Sequence, residues 1–488
     1  MHYDPLHTVD GHGPFSEPKA YEHAVATPGI NEVLARIVFS DAMSELKRSL
    51  GLFAATDIGI GAIIGAGIFV LSGVASGLAG PSVILSFVLA GIVAFLTALS
   101  SAELSSFITE AGGSFIYTEQ AFGPGWGFLV GWTKSFDYIV GAAAVSIGFA
   151  TYFVFLAEWG TDAGTIAVIG AILPLAFMTL NFRGVKEASG ANNILVVLKV
   201  AALLVFITVG ASYIASRGDY SNYAPFFPRG ISGTVAASAV IFFAYIGFNT
   251  ITVLSEEVKE PQKTIPRAII LAFVVSTLLY IGVSVVEVGL IDWQQIAHSA
   301  APLDAALRQA TSNSFVLGFI SISALFATAS VVMSSLLGGS RALFAMGRKG
   351  VLPRRLARLS SRGVPKYAVA LAGLSMAAVV LLSQGDLATL ASAFNFGTLI
   401  TFLFINLSLF QLRRSRPEVP RPFRVPLYPL PPILGIVSCI GLMLFLNLNA
   451  LLIGGAWVIL GYAIYRRSRR AKELAQDRKR AKDGHQSR

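Results

Sequence analysis

Twelve long apolar stretches dominate the sequence and restrict the folds it can adopt. A helix needs about 20 predominantly apolar residues to cross a bilayer, and such stretches recur along most of the 488-residue chain. They lie at about residues 52–75, 81–108, 125–157, 163–182, 191–214, 231–254, 267–290, 315–345, 367–384, 389–411, 430–447 and 450–465. Short strands of alternating polarity, which are typical of a membrane β-barrel, do not accompany them. The sequence therefore predicts an all-α integral membrane protein with twelve transmembrane helices.

Composition indicates a membrane protein without a catalytic or metal centre. Charged residues make up 13% of the chain, against about 25% in soluble domains. The single cysteine, Cys439, lies in an apolar stretch, which excludes a disulfide framework and a cysteine–metal cluster. Residues 1–50 are polar and show no signal-peptide pattern. We expect no cofactor, no metal and no enzymatic activity.

The basic residues predict an orientation in the membrane. With a cytoplasmic N-terminus, 32 of the 37 Lys and Arg residues fall on the cytoplasmic side. Outside lie only Arg217, Arg229 and Arg308, while Lys134 and Lys199 fall inside spans. This positive-inside bias predicts that both termini are cytoplasmic. The net charge of +10 then reflects topology and attraction to anionic lipid headgroups rather than nucleic-acid binding.

The first predicted span is unusually rich in glycine. Residues 57–73, DIGIGAIIGAGIFVLSG, contain five glycines, although glycine costs a helix interior about 1 kcal/mol against alanine. A dinucleotide-binding loop would need a strand before it and a helix after it, and the context here is a membrane span. A second interpretation is close helix packing through Gly61 and Gly65. A third is an interrupted helix whose backbone binds a polar substrate, as in secondary transporters.

A matching interruption in the sixth span favours the broken helix. Some 180 residues later, FFAYIGFNT at 242–250 places Gly247 and Asn249 in an aromatic run. Membrane backbone leaves the helical pattern only where it lines a cavity or is buried in protein. At such a break, free N–H groups favour an anion and free carbonyls favour an ammonium group. The two together suit a zwitterion, which predicts an α-amino acid as substrate.

Four segments resemble one transporter superfamily. They are IGAIIGAGIFVLSG, ELSSFITEAGGSFIYT, FFAYIGFNTITVLSEEVKEPQKTIPRAI and RPFRVPLYPLPPILGI. They resemble the amino acid–polyamine–organocation superfamily, and most closely its cationic amino acid transporter branch and the proton-coupled bacterial homologues of that branch. The resemblance covers about residues 45–465. It implies a leucine-transporter-type fold in which spans 1–5 and 6–10 are inverted repeats, spans 1 and 6 are broken, and two further helices follow.

The resemblance also implies a substrate site at the two interruptions. The substrate-binding residues it implies are Ile63, Gly65, Ala66, Gly67, Phe243, Ala244, Tyr245, Ile246 and Asn249, together with Asp137 on the third span. The backbone at 65–67 would meet the substrate carboxylate, and the carbonyls at 63, 243, 244 and 246 would meet its ammonium group. Phe243 and Tyr245 are the candidates for gating the site. Eukaryotic members of the branch often carry aspartate where Asn249 stands.

Six ionisable residues fall inside the predicted spans, where such side chains are costly and usually functional. They are Asp57, Glu103, Lys134, Asp137, Lys199 and Glu287. Lys199 lies roughly 12 Å into the fifth span at 1.5 Å per residue; it either exchanges a proton during transport or snorkels to the interface. In proton-coupled relatives a lysine at the matching position replaces a sodium ion between spans one and eight, which implies proton coupling here. Its expected partners are carbonyls at 59–62 and hydroxyls among Thr328, Ser330 and Ser334.

The three carboxylates outside the first span leave alternatives open. Asp137 can meet a cationic substrate side chain or relay protons, or it forms an i,i+3 pair with Lys134 that neutralises both charges. Glu103, near the cytoplasmic end of the second span, makes a structural hydrogen bond or an inner-gate contact. Glu287, near the outer end of the seventh span, either has a function there or simply reaches water.

The chain divides into five parts on this plan. They are a cytoplasmic segment with an amphipathic helix at 1–50, a first repeat at 51–215, a second at 216–411, two last spans at 412–465 and a basic cytoplasmic tail at 466–488. We expect a multi-pass protein of the bacterial plasma membrane that carries L-amino acids, with cationic amino acids among the candidate substrates, together with protons by alternating access. Anionic lipid headgroups and a small accessory membrane subunit are further candidate partners.

Alternatives to proton symport stay open at this point. An obligate amino-acid exchanger would share the fold. A polyamine or organic cation permease would have less use for the amides of the first span. A membrane enzyme would need a catalytic constellation that the spans do not offer. A nutrient sensor would bind the same substrate, but no signalling domain is visible.

Overall fold

The computed structural model describes residues 50–110, 112–159, 162–183, 188–253, 258–348, 350–361 and 363–486, without the side chains of 183, 188–193, 253 and 470–486. The amphipathic helix predicted before residue 50 lies outside these ranges.

Helices form nearly all regular structure in the described ranges. In chain order they are α1 Leu52–Ile63, α2 Ala66–Phe69, α3 Leu71–Ala79, α4 Val83–Phe107, α5 Ser114–Phe122, α6 Pro124–Leu156, α7 Ala163–Arg183, α8 Ala188–Arg217, α9 Gly230–Ile241, α10 Asn249–Val253, α11 Pro261–Leu290, α12 Trp293–His298, α13 Pro302–Ala310, α14 Ser314–Arg348, α15 Lys366–Ser383, α16 Leu387–Ser415, α17 Leu430–Met443 and α18 Leu448–Gln486. Short 3-10 helices lie at Gly80–Ser82, Ser221–Tyr223, Phe242–Tyr245 and Arg354–Ala357. The one strand-like pairing in these ranges is an isolated bridge between Leu50 and Val258. The all-α prediction is therefore confirmed for the described residues.

Ten helical segments in the described ranges are long and apolar enough to cross a membrane. They are Leu71–Phe107, Pro124–Leu156, Ala163–Phe182, Ile194–Arg217, Gly230–Thr252, Pro261–Leu290, Ser314–Arg348, Lys366–Ser383, Leu387–Ser415 and Leu448–Arg469. Two further apolar helices, α1 and α17, are shorter, at 12 and 14 residues. Each of the twelve predicted stretches overlaps at least one of these helices, while the number of membrane crossings stays a prediction.

Three short helices were not predicted from the sequence. One is α5, between α4 and α6; the other two, α12 and α13, lie between α11 and α14. Local signals mark the latter two: the Asp292 carboxylate accepts a hydrogen bond from the N–H of Gln294 at the start of α12, and Pro302 opens α13. Apolar content alone missed them because each is too short to span a bilayer.

The bundle packs around the interrupted segments. Helix α6 packs against α14 and α16, and α11 packs against both α4 and α1. We call the end of the bundle where α4, α14 and α16 terminate the inner end, and the opposite end the outer end. The predicted orientation places the inner end in the cytoplasm.

Candidate functional site

The glycine-rich stretch is interrupted twice. Helix α1 ends at Ile63, the backbone is extended at Ile64 and Gly65, and α2 begins at Ala66. After four residues the chain leaves helical geometry again at Val70, where α3 follows. The first N–H groups of a helix have no partner within it. The break predicted within 57–73 is therefore present, and it presents unpaired backbone donors at 65–67.

The sixth predicted span is also interrupted, and this second interruption has a form similar to the first, which is the break in the glycine-rich stretch. Helix α9 ends at Ile241 and continues as the 3-10 turn Phe242–Tyr245, the chain is extended at Ile246, and α10 begins at Asn249. Gly247 has φ +153°, a conformation that L side chains rarely adopt. The sequence therefore breaks the helix where a residue without a Cβ atom permits it.

The two interruptions contact each other directly. A Cβ atom added to Gly67 would overlap the backbone and side chain of Ala244. One added to Gly247 would lie 2.5 Å from the carbonyl carbon and oxygen of Ala62. Glycine at both positions thus permits a backbone approach that alanine would prevent. The structure brings these parts of the predicted site together.

A tyrosine from α11 bridges the interruptions. The buried Tyr280 hydroxyl donates to the carbonyl of Ile63 at 2.9 Å and to that of Ala244 at 3.1 Å. Both carbonyls were expected to meet a substrate ammonium group, and each retains a second lone pair. The sequence analysis missed Tyr280, although a tyrosine in an apolar helix signals a hydroxyl in need of a buried partner.

Lys199 of α8 also binds the first interruption. Its buried Nζ donates to the carbonyl of Gly61 at 3.0 Å and to that of Ile64 at 3.1 Å, so the snorkelling alternative is wrong. One carbonyl belongs to the expected set at 59–62. The expected hydroxyl partners instead donate to carbonyls of their own helix α14, as the bonds of Thr328, Ser330 and Ser334 show.

The two gating candidates lie on different sides of the second interruption. The Phe243 ring is 4.6 Å from that of Phe394 on α16. The Tyr245 hydroxyl donates to the carbonyl of Phe87 on α4 at 2.8 Å, and its ring stacks on Phe273 of α11. Tyr245 is thus anchored among α4 and α11, which does not support a gating role for it.

Asn249 keeps part of its hydrogen-bonding capacity free. Its Oδ1 accepts from the hydroxyl of Ser101 on α4 at 3.3 Å, while the buried Nδ2 has no partner. The amide lies at the start of α10, directly after the interruption. It therefore stays a candidate for substrate binding.

Asp137 forms the predicted pair with Lys134. The Lys134 Nζ lies 3.3 Å from Asp137 Oδ2, which also accepts from Thr398 at 3.1 Å. On the same helix it is Gly148 that faces the interruption, next to Val70. Eleven residues separate Gly148 from Asp137, about 16 Å along a helix. The carboxylate therefore lies toward the inner end, away from the break.

The remaining glutamates are both buried. Glu103 accepts from Nε and Nη2 of Arg413 and from the N–H of Val425 at 2.7 Å, and Arg421 lies 3.5 Å away. It therefore makes an ion-pair contact at the inner end. Glu287 is fully buried, so the alternative that it reaches water is wrong. Its burial follows from α12 and α13, which pack over the outer end of α3 and α11.

Comparison with known proteins agrees with this architecture. The family model described as amino acid permease matches residues 50–458. The chain is 34% identical over 445 residues to the branched-chain amino acid permease BcaP of Bacillus subtilis, covering 88% of this chain and 94% of the relative. It is 35% identical over 436 residues to the methylthioribose transporter of the same species, covering 86% and 93%.

A plant relative extends the likeness. The chain is 34% identical over 394 residues to the vacuolar cationic amino acid transporter 2 of Arabidopsis thaliana, covering 77% of this chain and 61% of the relative. The family match spans both interruptions and the lysine that binds the first. This chain therefore belongs to the amino acid permease family of the amino acid–polyamine–organocation superfamily.

Proposed function

We propose that this protein is a secondary active transporter that carries amino acids across the bacterial plasma membrane by proton-coupled symport. The observation that carries the proposal is the direct contact between two interrupted helices, with a buried lysine donating to carbonyls of the first. Interrupted helices at the midplane are the usual substrate sites of secondary transporters. The family match and the permease names of the relatives support the same function.

The amino-acid backbone would bind at the junction of the interruptions. In this proposal the N–H groups at 65–67 bind the carboxylate, since they begin a short helix and lack helical partners. The carbonyls of Ile63 and Ala244 accept from the ammonium group, each with the lone pair that the Tyr280 hydroxyl does not use. Asn249 contributes its free amide N–H groups.

Lys199 would couple the proton to the movement of α1. A protonated lysine has three N–H donors, and two of them bond to Gly61 and Ile64. Loss of the proton replaces charge-assisted bonds by weaker neutral ones. The end of α1 is then held less firmly to α8, which allows it to move between the inward- and outward-facing states.

The proposed substrates are amino acids with neutral side chains. Asp137 is paired with Lys134 and lies away from the junction, which argues against its binding a cationic side chain. Two relatives named branched-chain amino acid permease support leucine, isoleucine and valine as first candidates. The relative named methylthioribose transporter makes that uncharged thiosugar the second candidate substrate.

The proposal includes the topology predicted from the sequence. Twelve helices would cross the membrane as two inverted five-helix repeats and a final pair, with both termini in the cytoplasm. The basic loops would contact anionic lipid headgroups, and an accessory membrane subunit stays a candidate partner.

Uptake into proteoliposomes tests the proposal. A radiolabelled panel of branched-chain amino acids, lysine, arginine, putrescine and methylthioribose would be presented under an inward proton gradient, under an inward sodium gradient, and to vesicles preloaded with amino acid. We expect concentrative uptake of a neutral amino acid driven by protons alone. Sodium dependence would contradict the role of Lys199, uptake only into preloaded vesicles would indicate an exchanger, and uptake of putrescine alone would indicate a cation permease.

A further inference from the structure

A buried carboxyl group in the outer half of the bundle is not used by the proposed transport site. Glu287 of α11 is fully buried. Its Oε1 accepts from the hydroxyl of Ser72 on α3 at 2.9 Å, and its Oε2 has no hydrogen-bond partner. This hydrogen bond therefore joins α11 to α3, the helix that follows the break at Val70.

The neighbouring acid has its own partners. Asp304 of α13 is buried, and its two carboxylate oxygens bind separately to Arg308 at 2.5 Å and to the hydroxyl of Ser321 at 3.0 Å. Asp304 is thus a satisfied carboxylate. Because Arg308 is already paired with Asp304, it does not compensate a charge on Glu287.

No other cation reaches Glu287 in the described part of the chain. Tyr152 of α6 faces both acids, and its hydroxyl donates to the carbonyl of Phe69 at 2.8 Å. Arg217 donates to the Tyr213 hydroxyl at 2.9 Å, and Arg229 lies over the Trp293 ring at 5.6 Å. An ionised carboxylate buried without a cation is strongly unfavourable. The described arrangement is therefore compatible with the neutral, protonated form of Glu287.

The helices over Glu287 are closely packed. A Cβ atom on Gly73 of α3 would lie 2.9 Å from Pro302 Cγ and 3.0 Å from the carbonyl oxygen of Ile296. Helices α12 and α13 thus sit on α3 and exclude water from the carboxyl group. A separation of these helices that opens the outer side would expose Glu287 and permit it to ionise.

We propose that Glu287 is a second proton-binding residue of the transporter, which binds a proton from the outer solution when the outer side closes and releases it when that side opens. The inference rests on the alternating access of the proposed function; because the proton returns to the outer solution, Glu287 controls the opening of the outer side, and coupling stays with Lys199. The direction of the pH effect follows: an acidic outer solution favours the closed outer side, and an alkaline solution favours the open one. Glu287→Gln imitates the neutral form and should keep the outer side closed at every pH.

Thiol labelling measures how far the outer side is open, without measuring transport. Ser76 is buried on α3 one turn after Ser72, between Gly73 and Gly77, which contact α12 and α13. Ser76→Cys therefore places a similar-sized thiol in the helix that these outer helices cover, and the native Cys439 is buried. Purified full-length protein in liposomes would be labelled from outside with a membrane-impermeant maleimide between pH 5.5 and 8. Ser312→Cys, at an exposed site in the outer loop, corrects for the pH dependence of thiol reactivity.

We expect the ratio of Ser76→Cys to Ser312→Cys labelling to rise about tenfold with pH, since one released proton changes an equilibrium by up to tenfold per pH unit. With Glu287→Gln added, the ratio should stay low and flat, while Glu287→Asp should restore the pH dependence. A flat ratio with Glu287 intact, or an unchanged rise with Glu287→Gln, would overturn the proposal. Amino-acid uptake is not read in this assay, so failure of the proposed substrate would appear only in the proteoliposome panel.

Discussion

Replacing Tyr280 with phenylalanine should weaken the junction between the two interrupted helices. The substitution keeps the ring that packs 5.9 Å from Phe87 and 5.3 Å from Tyr245, and it removes only the hydroxyl. Two buried carbonyls, of Ile63 and Ala244, then lose their donor. Ile63 ends α1, so its carbonyl has no helical N–H to replace the tyrosine.

The cost can be estimated from these contacts. Leaving a buried acceptor unsatisfied costs about 1–3 kcal/mol, and one hydroxyl proton shared by two carbonyls sets the total near the upper end of that range. Tyr245→Phe is a matched control in the same aromatic cluster. Its partner, the carbonyl of Phe87, lies inside α4 and keeps its helical N–H. We expect the control to lose only about 0.5–1.5 kcal/mol.

Two measurements separate the variants. Thermal unfolding in detergent should show a larger fall in midpoint for Tyr280→Phe than for Tyr245→Phe. Uptake kinetics should show a changed KM or a reduced maximal rate for Tyr280→Phe, because its hydroxyl holds the carbonyls proposed for the substrate ammonium group. Equal unfolding midpoints together with unchanged uptake in both variants would refute the bridging role.

Three further predictions follow from contacts at the junction and at the inner end. Gly67→Ala should lower stability by about 1–3 kcal/mol through overpacking against Ala244 and abolish uptake, whereas Gly455→Ala, into open space, should gain about 0.5–1 kcal/mol; thermal unfolding compares the two. Lys199→Met should leave substrate binding measurable by calorimetry but remove proton-driven accumulation. Arg413→Ala removes charge-assisted hydrogen bonds to Glu103, which keeps Arg421 and the N–H of Val425 as partners; it should cost about 1.5–3 kcal/mol and lower the unfolding midpoint.

The all-helical architecture and the two helix interruptions were predictable because they depend on local patterns. Apolar stretches of bilayer length located the ten described helices that are long and apolar enough to span a membrane, and glycines in otherwise apolar segments located both interruptions. The Lys199 carbonyl partner at Gly61 lies in the set at 59–62 that the resemblance to proton-coupled transporters implied. Short capped helices such as α12 were not predicted because neither their length nor their hydrophobicity is that of a membrane span.

The hydrogen-bond partners within the site were not predictable because they depend on how distant helices pack. Tyr280 lies 217 residues from Ile63 and 36 from Ala244, and no pattern in one helix reveals that its hydroxyl reaches both. The same holds for Glu287. Exposure to water is reasonable for a residue near the end of α11, but the unpredicted helices α12 and α13 cover it. An interrupted helix supplies unpaired backbone groups, but packing decides whether the protein or the substrate uses them. The bond of Tyr280 to both breaks therefore makes α11 part of the proposed substrate site, although its sequence resembles an ordinary apolar span.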